Sequence, residues 1–171
     1  SSSSNICIKE INLPEWYEES LKIHEELYNS GLFYYFKDEI NNHKNELSDE
    51  FLKRVYKVKY YDPKNYKYLL HKQQEMHTKI ELFFDSLDID FILCLSSNES
   101  APKVERQFQD DYNFLWTLLW LPVLNLPHLY DEYKMPVGIS IVGKRYSDFN
   151  ILNFVRLLIK EQFVSIKCKI P

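Results

Sequence analysis

Hydroxyl, carboxylate and imidazole groups are the side chains in this sequence that could do chemistry, and their spacing already excludes much of it. Histidines stand at 24, 43, 71, 77 and 128. His71 and His77 are six apart, whereas two ligands on one helical face need three or four, so no metal is expected. Ser96-Ser97 and Ser140 offer oxygen nucleophiles, but none lies in a glycine-flanked elbow and no base stands beside them. Hydroxyls that cap loop backbone are the expectation instead. Asp110-Asp111 and Asp131-Glu132 are candidate acid and base pairs, although neighbouring carboxylates ordinarily face water.

Lys53-Arg54-Val55-Tyr56-Lys57-Val58-Lys59-Tyr60-Tyr61 interleaves cations and aromatic rings, a pattern that could track a phosphate backbone and stack bases. Lysine stems covering apolar ground produce the same pattern. With 21 Lys plus Arg against 25 Asp plus Glu, the net charge of −4 lacks the basicity of a dedicated nucleic-acid binder. Nucleic acid is therefore not an expected partner.

Cys7, Cys94 and Cys168 form an odd set without a C-x-x-C pair, which argues against a disulfide framework or thiolate zinc site and for a reducing, cytoplasmic setting. The apolar runs Phe91 to Leu95 and Leu118 to Leu121 are far too short to span a membrane, so no membrane partner is expected. Ser1 to Ser4 has neither the basic nor the apolar region of a signal peptide.

The elements that must position these groups follow from periodicity. The 171 residues suit one domain, and a 45% hydrophobic, 16% aromatic composition excludes global disorder. Residues 1–89 read as mainly helical and 90–171 as strands and helices. Asn5 to Ile11 suggests a short strand before Pro14. A helix carrying Trp16, Ile23 and Leu27 then stops at Asn29-Ser30-Gly31. Leu32 to Asn41 and Ser48 to Tyr61 suggest two short helices. Tyr66, Leu69, Gln73, Met76, Ile80, Phe83 and Leu87 are spaced alternately three and four apart, the stripe of one long buried helix.

Phe91 to Leu95 reads as an interior strand buried on both faces. Phe108, Tyr112, Leu115 and Leu119 predict a helix that Pro122 ends. Val123 to Leu126 and Val137 to Val142 predict strands, and Ser147-Asp148 opens a last helix with Leu152, Val155 and Ile159 inward. Only three glycines occur, and Gly138 and Gly143 fall close together, which marks backbone constraint. The alternation of helices with buried strands is that of an α/β layer fold.

The segment from Asp90 to Leu158 resembles the C-terminal part of the amidase signature family. The residues that carry this are Asp90-Phe91-Ile92-Leu93, Ser100-Ala101-Pro102, the run from Trp116 through Trp120-Leu121-Pro122 to Pro127, Met135-Pro136-Val137-Gly138 through Val142-Gly143-Lys144-Arg145, and Asp148 followed by Leu152. Pro136 to Arg145 is the most specific part. Upstream, Ile8 to Pro14 and the helix opened by Tyr66 are similar to the family pattern.

The resemblance implies a mixed sheet flanked by helices and hydrolysis of carbon–nitrogen amide bonds without cofactor or metal. The family's serine, second serine and lysine lie in a Gly-Ser-Ser-Gly-type segment, and no such segment occurs here. No catalytic residue is therefore assigned to this chain. The implied partner is the missing N-terminal catalytic part, on the same gene or a second chain, with a homo-oligomer as a further option. The chain would complete the sheet and the substrate wall and be inactive alone; the alternative is a non-catalytic interaction or assembly module.

Trp116, Thr117 and Trp120 are the implied substrate-wall residues, the two indoles one helical turn apart on one face. Trp120 stands where the family commonly has glycine, Leu95 where it has proline, Gln73 where arginine is frequent, and Ser140 replaces a glutamine.

Overall fold

A buried stripe on one long helix organises the chain. The structure is a computed structural model and describes residues 6–58, 60–97, 100 and 113–164. The helices are α1 (Trp16–Tyr35), α2 (Lys37–Asn42), α3 (Asp49–Val55), α4 (Pro63–Leu87), α5 (Asn113–Leu118) and α6 (Asp148–Lys160), and the strands are β1 (Phe91–Leu95), β2 (Val123–Tyr130) and β3 (Pro136–Gly143). On α4, Leu69, Gln73, Met76 and Ile80 are buried as the spacing predicts, and His77 and Phe84 join them. Asp62 caps the helix by accepting from the Lys64 N–H, and Pro63 occupies its first turn.

The strands pair antiparallel in the order β1-β3-β2. Ile92 faces Val142 across one ladder and Ile141 faces Leu124 across the other, so alternate residues feed two cores. On one face Ile92 and Val142 pack with Met76, Ile80 and Phe84 of α4 and Leu115, Trp116 and Leu119 at α5. On the other Ile141 packs with Ile151, Val155 and Leu158 of α6, and Phe91 stacks on Phe154 at 4.6 Å. Helices on both faces of a sheet make this an α/β arrangement.

Several expectations are corrected. Residues 6–14 form no strand; Ile11 and Leu13 pack on the core as irregular chain, and Lys9 Nζ donates to the Leu87 carbonyl at 3.0 Å. Helix α1 does not stop at Asn29-Ser30-Gly31 but continues to Tyr35, because Asn29 and Ser30 are buried against neighbouring elements and tertiary packing outweighs the local stop signal. The next two helices are shorter than expected, with Ser48 Oγ accepting from the Phe51 N–H to start α3. Strand β2 runs on through Pro127 to Tyr130, with a register shift between Pro127 and Leu129. Along α6 the inward face is Ile151, Val155 and Leu158, with Leu152 exposed.

Strand β1 is not buried on both faces. Leu93 is 55% and Leu95 44% exposed, since α6 covers the Phe91 end of the strand and does not reach the other. Phe108, Tyr112, Asp110-Asp111, Ala101-Pro102 and Cys168 lie outside the described residues.

Glycine scarcity shows in the backbone. Helices α4, α5 and α6 each run into a left-handed residue that is not glycine: Asp88 at φ 50°, Trp120 at φ 52° and Gln162 at φ 62°. No glycine has positive φ. Gly138 and Gly143 serve close packing instead. A Cβ on Gly138 would lie 2.3 Å from Asn125 Oδ1 and 2.7 Å from Ser96 Oγ; one on Gly143 would lie 2.4 Å from Ser147 Oγ and 3.0 Å from Ile151. The crowding at Gly138 comes from side chains rather than from a neighbouring backbone. Gly138→Ala is expected to cost on the order of 1 to 3 kcal/mol as overpacking, measured by urea denaturation; an unchanged midpoint would remove this packing role.

Candidate functional site

The candidate site is built where α5 ends. Thr117 Oγ1 bonds back to the Asn113 carbonyl at 2.9 Å and is exposed. At the helix terminus the Leu121 N–H donates to Trp116 O at 3.0 Å and the Trp120 N–H to Thr117 O at 3.2 Å. These two bonds form a Schellman closure with Trp120 as its left-handed residue. A glycine would sit there without strain, whereas an L side chain costs about 1 to 2 kcal/mol in this conformation.

That closure separates the two indoles. Trp116 is 2% and Trp120 56% exposed. They do not share a face as their spacing predicts, because Trp120 has left the helix and points away from the stripe Trp116 belongs to. Trp116 lines an apolar groove of about 380 Å³ with Ile11, Leu13, Ile92, Cys94 and Leu95. Its Nε1 has no nitrogen or oxygen partner among the described residues and lies against the Cys94 thiol. Burial pushes that thiol above its ordinary pKa, and the indole N–H partly offsets the effect.

Trp120 is held from α4 and from the turn after β3. The His77 ring lies 4.5 Å from it and the Arg145 guanidinium 5.2 Å. His77 is 1% exposed, with Nε2 3.4 Å from the Leu118 carbonyl and Nδ1 3.2 Å from Arg145 Nη1. Gln73 Nε2 donates to the same carbonyl at 2.7 Å. Burial, foremost, and then the Arg145 charge lower the His77 pKa, against the pull of the Leu118 hydrogen bond and Glu81. Spacing discounted His77 as a metal ligand but did not reveal this contact; a glutamine and a histidine inside one buried stripe were its only sequence signal.

The other candidates are structural. Ser96 and Ser140 are both buried and bond each other at 2.9 Å, with Ser96 N–H donating to Gly138 O at 2.8 Å. Asp131 organises a turn, accepting from Ser100 Oγ and from the backbone N–H groups of Tyr133 and Met135 at 2.9 and 2.8 Å. These bonds, that from Ser100 first, hold its carboxyl below the usual carboxylate range. His71 pairs with Glu75, and no three metal-ligating side chains cluster among the described residues. Cys7 and Cys94 are free thiols. No described helix is long and apolar enough to cross a membrane.

Replacing Trp116 by Ala is expected to cost about 3 to 5 kcal/mol, as for a buried large-to-small change. For Trp120→Gly the lost ring contacts are offset by relief of the left-handed strain, leaving a net change within about 1 kcal/mol. Equal losses for both variants in chemical denaturation would show that Trp120 is a core residue after all.

No family profile matches the chain. It is 27% identical over 142 residues to a subunit of the glutamyl-tRNA(Gln) amidotransferase of Borreliella burgdorferi, a match covering 75% of this chain and 28% of that protein. The same subunit of Borrelia garinii subsp. bavariensis matches at 27% over the same lengths. The chain therefore spans a little over a quarter of the length of these relatives. Among solved structures, an amidase superposes with a TM-score of 0.74 at 18% identity, covering 88% of this chain and 36% of that one. A fatty acid amide hydrolase superposes at 0.71 with 19% identity, over 86% and 32%. This chain has the fold of about a third of an amidase and resembles the amidase signature family over that stretch.

Proposed function

We propose that the chain is the C-terminal part of an amidase-signature amide hydrolase, inactive alone, which completes the sheet and substrate wall of a catalytic part carrying the nucleophile. The observation that carries this is the outer edge of β1. Among the described strands β1 pairs only with β3, and Leu93, Leu95 and the groove beside Trp116 stand open along its other side. An unpaired strand edge flanked by apolar surface is a docking template, and an added strand satisfies its backbone groups while covering its leucines. The chain matches about a third of a solved amidase, so an assembled enzyme has polypeptide to supply that strand. That the two curated relatives are by name amidotransferase subunits supports a working form with more than one chain.

Inactivity alone follows from chemistry. Acyl transfer needs a nucleophile, its base and oxyanion donors in one place. The two buried hydroxyls here are spent on each other, and no Gly-Ser-Ser-Gly segment is encoded. In the assembled enzyme Trp116, Thr117 and Trp120 contribute to the substrate wall. The free thiols of Cys7 and Cys94 support a reducing, cytoplasmic setting.

The purified chain is expected to release no ammonia from simple carboxamides and to gain hydrolysis when co-expressed with an amidase catalytic part. Leu93→Lys with Leu95→Lys is expected to keep the chain folded while abolishing that gain. Hydrolysis by the chain alone overturns the reading, and its loss in Ser96→Ala would place a nucleophile at Ser96. A soluble chain that binds no catalytic part, with the edge variants behaving as wild type, would favour the assembly-module alternative.

A further inference from the structure

We propose that His77, Arg145 and Trp120 form a proton-sensitive latch, which holds the exposed Trp120 indole in place while His77 is neutral and releases it when His77 takes up a proton. Neither burial nor backbone preference fixes that indole: it is 56% exposed on a left-handed residue. Its restraints are the His77 ring and, beside it, the Arg145 guanidinium.

The hydrogen bonds determine the His77 tautomer. A carbonyl only accepts, so the Nε2 that faces Leu118 O at 3.4 Å carries the hydrogen. A guanidinium only donates, so the Nδ1 that faces Arg145 Nη1 at 3.2 Å is the bare nitrogen. A proton can enter only at Nδ1. There it replaces a hydrogen bond with two opposed N–H groups and two like charges at the same separation. Arg145 is then free to follow its other anchor, the exposed Tyr146, whose hydroxyl it reaches at 2.8 Å and whose ring lies 5.0 Å away. The cation leaves the Trp120 ring with it.

The charged groups acting on His77 come from two elements. Glu81, one turn further along α4, favours the proton; Arg145, from the turn after β3, opposes it. The end of α5 presents the Leu118 carbonyl and Trp120, neither of which titrates. Burial adds to Arg145, and the pKa lies below the ordinary histidine value of 6.5. The latch is closed at neutral pH, and its contribution to stability, full above about pH 6.5, is lost as pH falls through the lower folded value.

Tryptophan emission and the His77 ring proton in NMR, followed on the purified chain from about pH 8 to about pH 5, test this across the histidine range. Trp120→Phe serves to isolate the Trp120 share. The expected result is one midpoint below pH 6.5 common to both signals. His77→Gln can still donate to Leu118 O but cannot titrate, and is expected to abolish the midpoint. Arg145→Met is expected to move it up toward the ordinary histidine value, a readout that a purely structural role would not shift. Trp120 emission that stays constant while His77 titrates, or a midpoint that survives His77→Gln, overturns the latch; if His77→Gln does not fold, an unmoved midpoint in Arg145→Met does so.

The latch does not depend on the amidase reading. Where Trp120 walls a substrate cleft, the same proton changes what the cleft admits. A successful titration without a change in selectivity would fail that reading and leave the latch standing.

Discussion

The Leu118 carbonyl enters the interior at the point where α5 stops, and a buried carbonyl without a donor costs about 1 to 3 kcal/mol. Gln73 and His77, two polar residues inside the apolar stripe of α4, face it. This polar contact ties the long helix to the point where the chain turns from α5 into β2. It also directs the chain beyond the helix. The Schellman closure places Trp120 outside, Leu121 returns to the core, and β2 begins in register with β3 at Val123 opposite Val142. A stripe made wholly of aliphatic residues would pack equally well and leave the carbonyl unsatisfied.

Scarce glycine shapes the rest of the backbone. With three glycines in the chain, helix ends that glycine usually closes are closed by Asp88, Trp120 and Gln162. Asp tolerates the left-handed region comparatively well because its short polar side chain bonds locally; tryptophan has no such relief. A strained, exposed indole persists only where its surroundings over-determine it, and here an imidazole and a guanidinium do so. Two of the glycines are placed on β3, where Asn125, Ser96, Ser147 and Ile151 leave no room for a Cβ.

Among the described strands the sheet has two edges, β1 and β2. Strand β3 is central, β2 is paired along it, and β1 offers its outer edge beside the groove lined by Ile11, Leu13 and Trp116. Natural sheets rarely leave such an edge bare, because it recruits other strands. The fatty acid amide hydrolase and the amidase that superpose on this chain are about three times the length of the part it covers. The exposed leucine pair on β1, Leu93 and Leu95, is the apolar surface that the proposed added strand would cover.

Elements whose period is long or whose ends are chemically marked are legible in the residues alone. The α4 stripe, β3 with its two glycines and the α/β order belong here, because burial of a whole face repeats at a fixed spacing; the resemblance to amidases rests instead on particular motifs, Pro136 to Arg145 above all. Packing between segments remote along the chain settles the remainder. Helix α1 runs past Gly31 because neighbouring elements bury Asn29 and Ser30. Strand β1 is exposed because α6 covers one end of it and nothing described covers the other. Trp116 and Trp120 part company because the helix ends between them. His77 and Arg145 are 68 residues apart in sequence, and no spacing rule joins two residues whose contact exists only because a helix and a strand end pack at the same place.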